Sequence, residues 1–74
     1  MIIEISARDW GTADLAVQIL LQVVTKTQGQ ASVIGIGREN GEFHRAVALR
    51  PGPKTAVAFQ FLQLPLGADV LVRT

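Results

Sequence analysis

The chain has 74 residues, no cysteine and a net charge of +1, and 49% of its residues are hydrophobic against 18% charged. This length predicts one domain over residues 1–74, and the composition excludes disulfide bridges, thiolate metal sites and a strong overall attraction to nucleic acid. One histidine cannot build a zinc site by itself, so no metal or other cofactor is expected. A core of this size stabilises a fold by only about 3–5 kcal/mol, so we expect oligomerisation to complete it.

The N-terminal residues predict a short first strand rather than a targeting segment. Ile2, Ile3 and Ile5 supply its apolar positions. The stretch lacks the basic region and small-residue cleavage site of a signal peptide, and no apolar run approaches the roughly 18 residues that span a bilayer. We therefore expect a cytoplasmic protein without membrane association.

A helix is predicted from Ala13 to about Thr27, with Thr12 as its N-cap and Gly29 as the C′ residue that ends it. Polar residues recur there at every third or fourth position, which excludes a strand. Roughly two thirds of the circumference is apolar, so burying it requires partners on two sides, and a second chain is the expected supplier. The polar stripe consists of Asp14, Gln18, Gln22, Thr25 and Lys26.

The dipeptide Asn40-Gly41 predicts a type I′ hairpin, because that turn needs positive φ at both central residues. The flanking strands have alternating bulky and small positions. Their bulky face, which includes Ile34, Ile36, Phe43, Val47 and Leu49, is expected to receive the helix. The turn fixes the pairs Glu39 with Glu42, Arg38 with Phe43, Ile36 with Arg45, and Ile34 with Val47.

Two more strands are predicted after the hairpin. Pro51-Gly52-Pro53 forms a stiff turn, after which Thr55 to Leu62 alternates as a strand. Leu64-Pro65-Leu66-Gly67 turns the chain again, and Val70-Leu71-Val72 forms the last strand. The predicted fold is therefore α+β: a strand, a helix and then four mostly antiparallel strands, with one helix packed on a single small sheet that oligomerisation completes.

The second face of this sheet is predicted to be a subunit interface. Its side chains are small and apolar, so another backbone can approach closely, most simply from a symmetry mate. The alternative is a sheet that curls over the helix as a small closed core. The predicted interface residues are Gly35, Gly37, Ala46, Ala48, Ala56 and Ala58.

Four cations between residues 38 and 54 are the candidate binding residues. Arg38, Arg45, Arg50 and Lys54 are expected to contact the phosphates of RNA or DNA, and an oligomer would repeat that patch. The alternative is a solvated basic edge that keeps the hairpin soluble.

Catalysis and small-molecule binding receive little support. His44 is the obvious acid or base, with Glu42 two residues away on the same strand face, but the sequence places no nucleophile beside it. Gly35-Ile36-Gly37 precedes a strand instead of a helix, so it does not match a phosphate-cradling loop. We expect no enzyme activity and identify no small-molecule ligand. Trp10 is expected to cover the core.

Two families share short stretches with this chain. Ile3 to Ala7, the helix, Ile34 to Gly37 and Phe43 to Val47 resemble the Alba-like group, particularly stage V sporulation protein S, which implies a dimeric nucleic-acid-associated protein. That family has a full second helix where this chain offers only residues 42–49. A gapped set resembles the trp RNA-binding attenuation protein, an all-β ring that binds tryptophan and RNA; it comprises Val33 to Ile36, Arg38, Phe43-His44, Gln60-Phe61 and Val72-Arg73.

The sequence thus favours a small homo-oligomeric nucleic-acid-binding or regulatory protein. The alternative is a non-enzymatic interaction or structural oligomer that docks through its small-residue sheet face.

Overall fold

A computed structural model describes residues 1–59 and 70–73. Within these residues, four strands form one sheet in the order β2-β3-β1-β4, and every neighbouring pair is antiparallel. This confirms the predicted α+β class. The element order and strand order are those of the ferredoxin-like βαββαβ arrangement. The elements are β1 (Ile2–Ala7), α1 (Trp10–Lys26), β2 (Gln30–Glu39), β3 (Glu42–Arg50), α2 (Thr55–Phe59) and β4 (Val70–Arg73).

The β2–β3 hairpin turns at Asn40 and Gly41, whose φ angles of 53° and 77° confirm the predicted type I′ turn. Three of the four predicted pairs are also confirmed: Glu39–Glu42, Arg38–Phe43 and Ile36–Arg45. The predicted pair of Ile34 with Val47 is wrong. The register shifts between Val33 and Gly35, so Val33 lies opposite Val47 and Ile34 is the extra residue of a bulge.

Helix α1 begins three residues before the predicted start. Asp9, not Thr12, is the N-cap, and its carboxylate Oδ1 accepts a hydrogen bond of 2.7 Å from the backbone N–H of Thr12. The Thr12 hydroxyl donates to the other carboxylate oxygen at 3.0 Å. The backbone hydrogen bond from Thr12, followed by the hydroxyl, lowers the pKa of Asp9 below its ordinary value of 3.8. The turn residues of the sequence thus form the first turn of the helix.

The C-terminus of α1 also differs from the prediction by one residue. The C′ residue is Gln28, with φ of 65°, and Gly29 follows it as C″. The Gly29 N–H donates to Val24 O at 2.8 Å and the Gln28 N–H to Thr25 O at 3.1 Å, which is the hydrogen-bond pattern of a Schellman motif. Gly29 is needed for space, because a Cβ atom there would lie 2.7 Å from the carbonyl oxygen of Arg50.

The core lies between α1 and the sheet face that carries Ile3, Ile5 and Val47. Leu20 and Val24 are the largest helix side chains buried in it. On the flanks of α1, Ile19, Leu21 and Val23 are partly buried against the same core, whereas Leu15 remains exposed. The chain therefore covers most of the wide apolar surface of the helix by itself, and a second chain is not needed there.

The predicted strand from Thr55 to Leu62 is wrong where the structure describes it. Residues Thr55–Phe59 form the short helix α2, which packs beside α1. Alternation over so few residues is weak evidence for a strand, because alanine suits either face and favours a helix. Residues 60–62 and the predicted turn at 64–67 lie outside the described residues. The predicted last strand is confirmed as β4.

Candidate functional site

One face of the sheet is turned away from α1, and we call it the open face. Strand alternation and the register assign its residues: β1 contributes Ile2, Glu4 and Ser6, and their partners on β3 are Ala48, Ala46 and His44. Ile2 and Leu71 remain 55% and 52% exposed. Among the described residues, none covers this face. Its other members are Gln30, Ser32, Gly35, Gly37 and Glu39 on β2, Glu42 and Arg50 on β3, and Leu71 and Arg73 on β4.

Four of the predicted interface residues share this face, and two do not. Gly35, Gly37, Ala46 and Ala48 lie on it, as the alternation predicts. Residues 56 and 58 belong to α2 instead, so the prediction that Ala56 and Ala58 lie on the small-residue face is wrong. Because residues 55–59 form a helix, they are not part of the sheet.

The open face has two shallow hollows. One, of about 370 Å³, is lined by Gly35, Gly37, Ala46 and His44, with Glu4 and Arg73 among its other residues. The second, of about 450 Å³, lies towards the other end of the strands and includes Ile2, Ser32, Ala48 and Arg50. The hollows arise where side chains are small, whereas Ile2 and Leu71 stand out from the surface. Protrusions and hollows thus occur on one face.

Charged groups on the open face are balanced. Glu4 and Arg73 are cross-strand partners whose side chains lie 3.5 Å apart, and both remain 58% exposed. Glu39 and Glu42 flank the hairpin turn, and Arg50 ends β3. Three carboxylates and two guanidinium groups therefore share the face, so it does not attract a polyanion.

The structure brings Ser6 and His44 together, although the sequence did not pair them. Ser6 Oγ and His44 Nδ1 lie 2.8 Å apart, and Ser6 is 4% exposed. Only the register of β1 against β3 creates this contact, and no local pattern reports that register. Within residues 1–59 and 70–73, no carboxylate hydrogen-bonds His44. The pair therefore lacks the orienting acid of a catalytic triad and fixes the imidazole on the open face.

The predicted phosphate contacts Arg38 and Arg45 lie on the opposite side of the sheet, facing α1. Arg45 Nη1 forms an ion pair and hydrogen bond with Asp14 Oδ1 of α1, and the Arg45 side chain is 16% exposed. The guanidinium carbon of Arg38 lies 5.1 Å from the centre of the Phe43 ring. Trp10 contacts the Phe43 ring, with 4.4 Å between the ring centroids, and remains 37% exposed, so its predicted role as a cover of the core stays a prediction.

Arg50 and Lys54 lie far from Arg38 and Arg45. Arg50 ends β3, whereas Arg38 pairs with Phe43 near its start, which separates them by about 23 Å at the usual rise per residue. Lys54 follows in the turn before α2. The structure therefore does not bring the four predicted cations to one patch.

Comparisons with known proteins define the fold only. No protein-family model and no curated protein matches the chain. A solved structure of a de novo designed protein, Foldit4, is similar with a TM-score of 0.63 and 17% identity, and the match covers 97% of this chain and 89% of that chain. At this identity the similarity shows the fold alone, and a fold does not determine a function. The two family resemblances noted from the sequence stay predictions.

The part of the chain that the structure describes has neither a membrane-spanning helix nor a cluster of three metal-ligating side chains. None of its helices combines the length and apolar character of a membrane span. The described His, Asp and Glu side chains do not gather in groups of three that would hold a metal ion.

Proposed function

We propose that this chain is a non-enzymatic self-association module whose open face binds the open face of a second copy. The observation that carries the proposal is the uncovered face itself, on which Ile2 and Leu71 protrude beside hollows floored by glycine and alanine. Burying exposed apolar side chains is the main favourable term in most protein associations.

A second copy fits this face better than an unrelated partner for two reasons. A two-fold interface requires one patch to complement itself, and this face carries both the protrusions and the hollows. Its charges also have mixed sign, so Glu4 of one copy can meet Arg73 of the other. A polyanionic partner would meet Glu4, Glu39 and Glu42 on the same face.

The size of the face sets the strength of the association. Four strands about 4.8 Å apart and about six residues long give a face of roughly 400 Å². Two such faces bury less than the 1,200–2,000 Å² that is typical of stable complexes, by roughly a third or more. The dimer should therefore be weak, so that it forms as the protein concentration rises and dissociates as the concentration falls.

Sedimentation over a range of concentrations tests the proposal. The wild-type mass should rise with concentration from 8.0 kDa towards twice that value. Leu71→Gln removes one protrusion from each copy and should weaken association about tenfold or more. The matched control is Leu15→Gln, which removes an equally exposed leucine from α1 and should leave association unchanged. A wild-type chain that stays at 8.0 kDa throughout contradicts the proposal.

Gly37→Val separates the interface from the fold. A Cβ at Gly37 would meet no atom within 4 Å, so the isolated chain has room for the larger side chain. Valine favours strands, so the monomer should gain about 0.5–1 kcal/mol of unfolding free energy. Association should weaken, because the branched side chain keeps the second backbone away. Equal association of this variant and the wild type would exclude close approach at Gly37.

A further inference from the structure

Three cations share the end of the molecule where α1 and β3 finish. Lys26 ends α1, Arg50 ends β3, and Lys54 precedes α2; we call these three residues the cationic end. All three are exposed. Lys26 and Lys54 line one cleft of about 300 Å³ together with Thr27, Gln28 and Pro53. Arg50 lines a neighbouring cleft of about 210 Å³, which also contains Gln28, Gly29 and Gln30. No carboxylate of the described residues lines either cleft.

These cations are not engaged elsewhere among the described residues. The two ion pairs found there join Arg45 with Asp14 and Arg73 with Glu4. Lys26 is also not required to satisfy the end of α1, because backbone N–H groups and the Thr27 hydroxyl already donate to its last carbonyls. Those acceptors are Val23, Val24 and Thr25. Within the part of the chain that the structure describes, no carboxylate therefore neutralises these three side chains.

Hydrogen bonds connect the backbone segments beneath the cationic end. The Gly52 N–H donates to Thr55 Oγ1 at 2.8 Å, and Thr55 and Thr27 share a hydrogen bond of 2.6 Å. Either hydroxyl can be the donor in this bond, and the Thr27 hydroxyl also lies 2.7 Å from Val23 O. A Cβ at Gly52 would lie 1.9 Å from the Thr27 carbonyl oxygen, so the two turns touch closely. Hydrogen bonds and close backbone packing therefore join the two segments that carry Lys26 and Lys54.

We propose that the cationic end binds the phosphodiester backbone of a nucleic acid strand. Two adjoining open clefts with cations spread along them suit successive phosphates of an extended chain. Among the described residues, no aromatic side chain lines either cleft, so the proposed contacts are made to phosphates and not by stacking on bases. An anionic membrane is the less suitable source of phosphate, because the exposed large apolar side chains within residues 1–59 and 70–73 line neither cleft. This proposal does not require self-association: Lys26 and Lys54 line no hollow of the open face, whereas Arg50 belongs to both surfaces.

Salt-dependent binding of a labelled single-stranded oligonucleotide, measured by fluorescence anisotropy, tests the site. Three phosphate contacts predict a slope of about −2 for log K against log salt concentration. The double variant Lys26→Gln/Lys54→Gln should bring the slope to about −0.7 and weaken binding about 50-fold near 50 mM salt. Neither lysine lines the hollows of the open face, so sedimentation of this variant should be unchanged.

The control is the double variant Arg8→Gln/Arg38→Gln, which removes the same charge from the opposite end of the strands. Its slope and affinity should match those of the wild type. Absence of oligonucleotide binding by the wild type, or an equal loss in the control variant, would overturn the proposal. So would binding to vesicles that contain phosphatidylglycerol without binding to the oligonucleotide.

Discussion

Arg45 of the hairpin is held by Asp14 of α1, a residue 31 positions away in sequence, and the two groups differ sharply in their exposure to water. The Arg45 side chain is 16% exposed and its Nε has no hydrogen-bond partner, whereas Asp14 is 55% exposed. The sheet therefore presents a nearly buried cation to the helix, and one carboxylate neutralises it. This arrangement explains why Arg45 does not serve as a surface phosphate contact.

Removing Asp14 should cost more stability than its exposure suggests. Asp14→Ala leaves the Arg45 charge largely buried and unpaired, so the free energy of unfolding should fall by about 1–2 kcal/mol, between the values for exposed and buried pairs. Arg45→Met removes the charge but keeps the packing and should cost less. Chemical denaturation of both variants and of the double variant measures the coupling. Additive effects in the double variant would show that the pair does not interact.

The hydroxyl of Thr55 should contribute to stability through hydrogen bonds alone. Thr55→Val keeps the shape of a fully buried side chain but removes the acceptor of the Gly52 N–H and the hydrogen bond between the two threonine hydroxyls. We expect a loss of about 1–3 kcal/mol in unfolding free energy. The same substitution at the exposed Thr25, in the last turn of α1, is the control and should change stability by less than about 0.5 kcal/mol. Equal effects at both positions would contradict the role of Thr55.

Replacing Gln28 with glycine should stabilise the fold. The left-handed conformation at Gln28 is unfavourable for a residue with a Cβ atom, and glycine adopts it without that cost. Thermal unfolding should report a gain of about 0.5–1 kcal/mol for Gln28→Gly. Gln30→Gly, two residues later in β2, should instead destabilise the chain, because glycine weakens a strand. Effects of the same sign at both positions would argue against the Schellman geometry.

The cap at Asp9 should make stability depend on acid pH. Hydrogen bonds from Thr12 lower the pKa of the folded carboxylate, so its contribution is fully present above about pH 4 and is lost as the pH falls through the lowered value. Asp9→Asn retains a capping oxygen but does not titrate. The difference in Tm between wild type and this variant should therefore shrink as the pH falls below about 4. A constant difference would show that the charge of Asp9 does not act in the cap.

Local patterns were enough to predict several elements. The hairpin follows from Asn40-Gly41, because few dipeptides adopt two consecutive positive φ angles. The helix follows from a period of three to four residues, and the alternation along β3 correctly divides Phe43 from His44 between two faces. The open face was therefore predictable for β3 and for β2 from Gly35 onward, although α2 removed residues 56 and 58 from it.

The sequence by itself thus determined the hairpin, the main helix and the two faces of β3, since each depends on neighbours within a few residues. Tertiary structure alone decided that Asp14 pairs with Arg45, that Ser6 meets His44, and that Lys26 lies beside Lys54. Those contacts depend on how distant segments pack. The one-residue bulge in β2 and the close approach of Gly52 to Thr27 both affect which side chains meet. Neither feature can be predicted from the residues around it in the sequence.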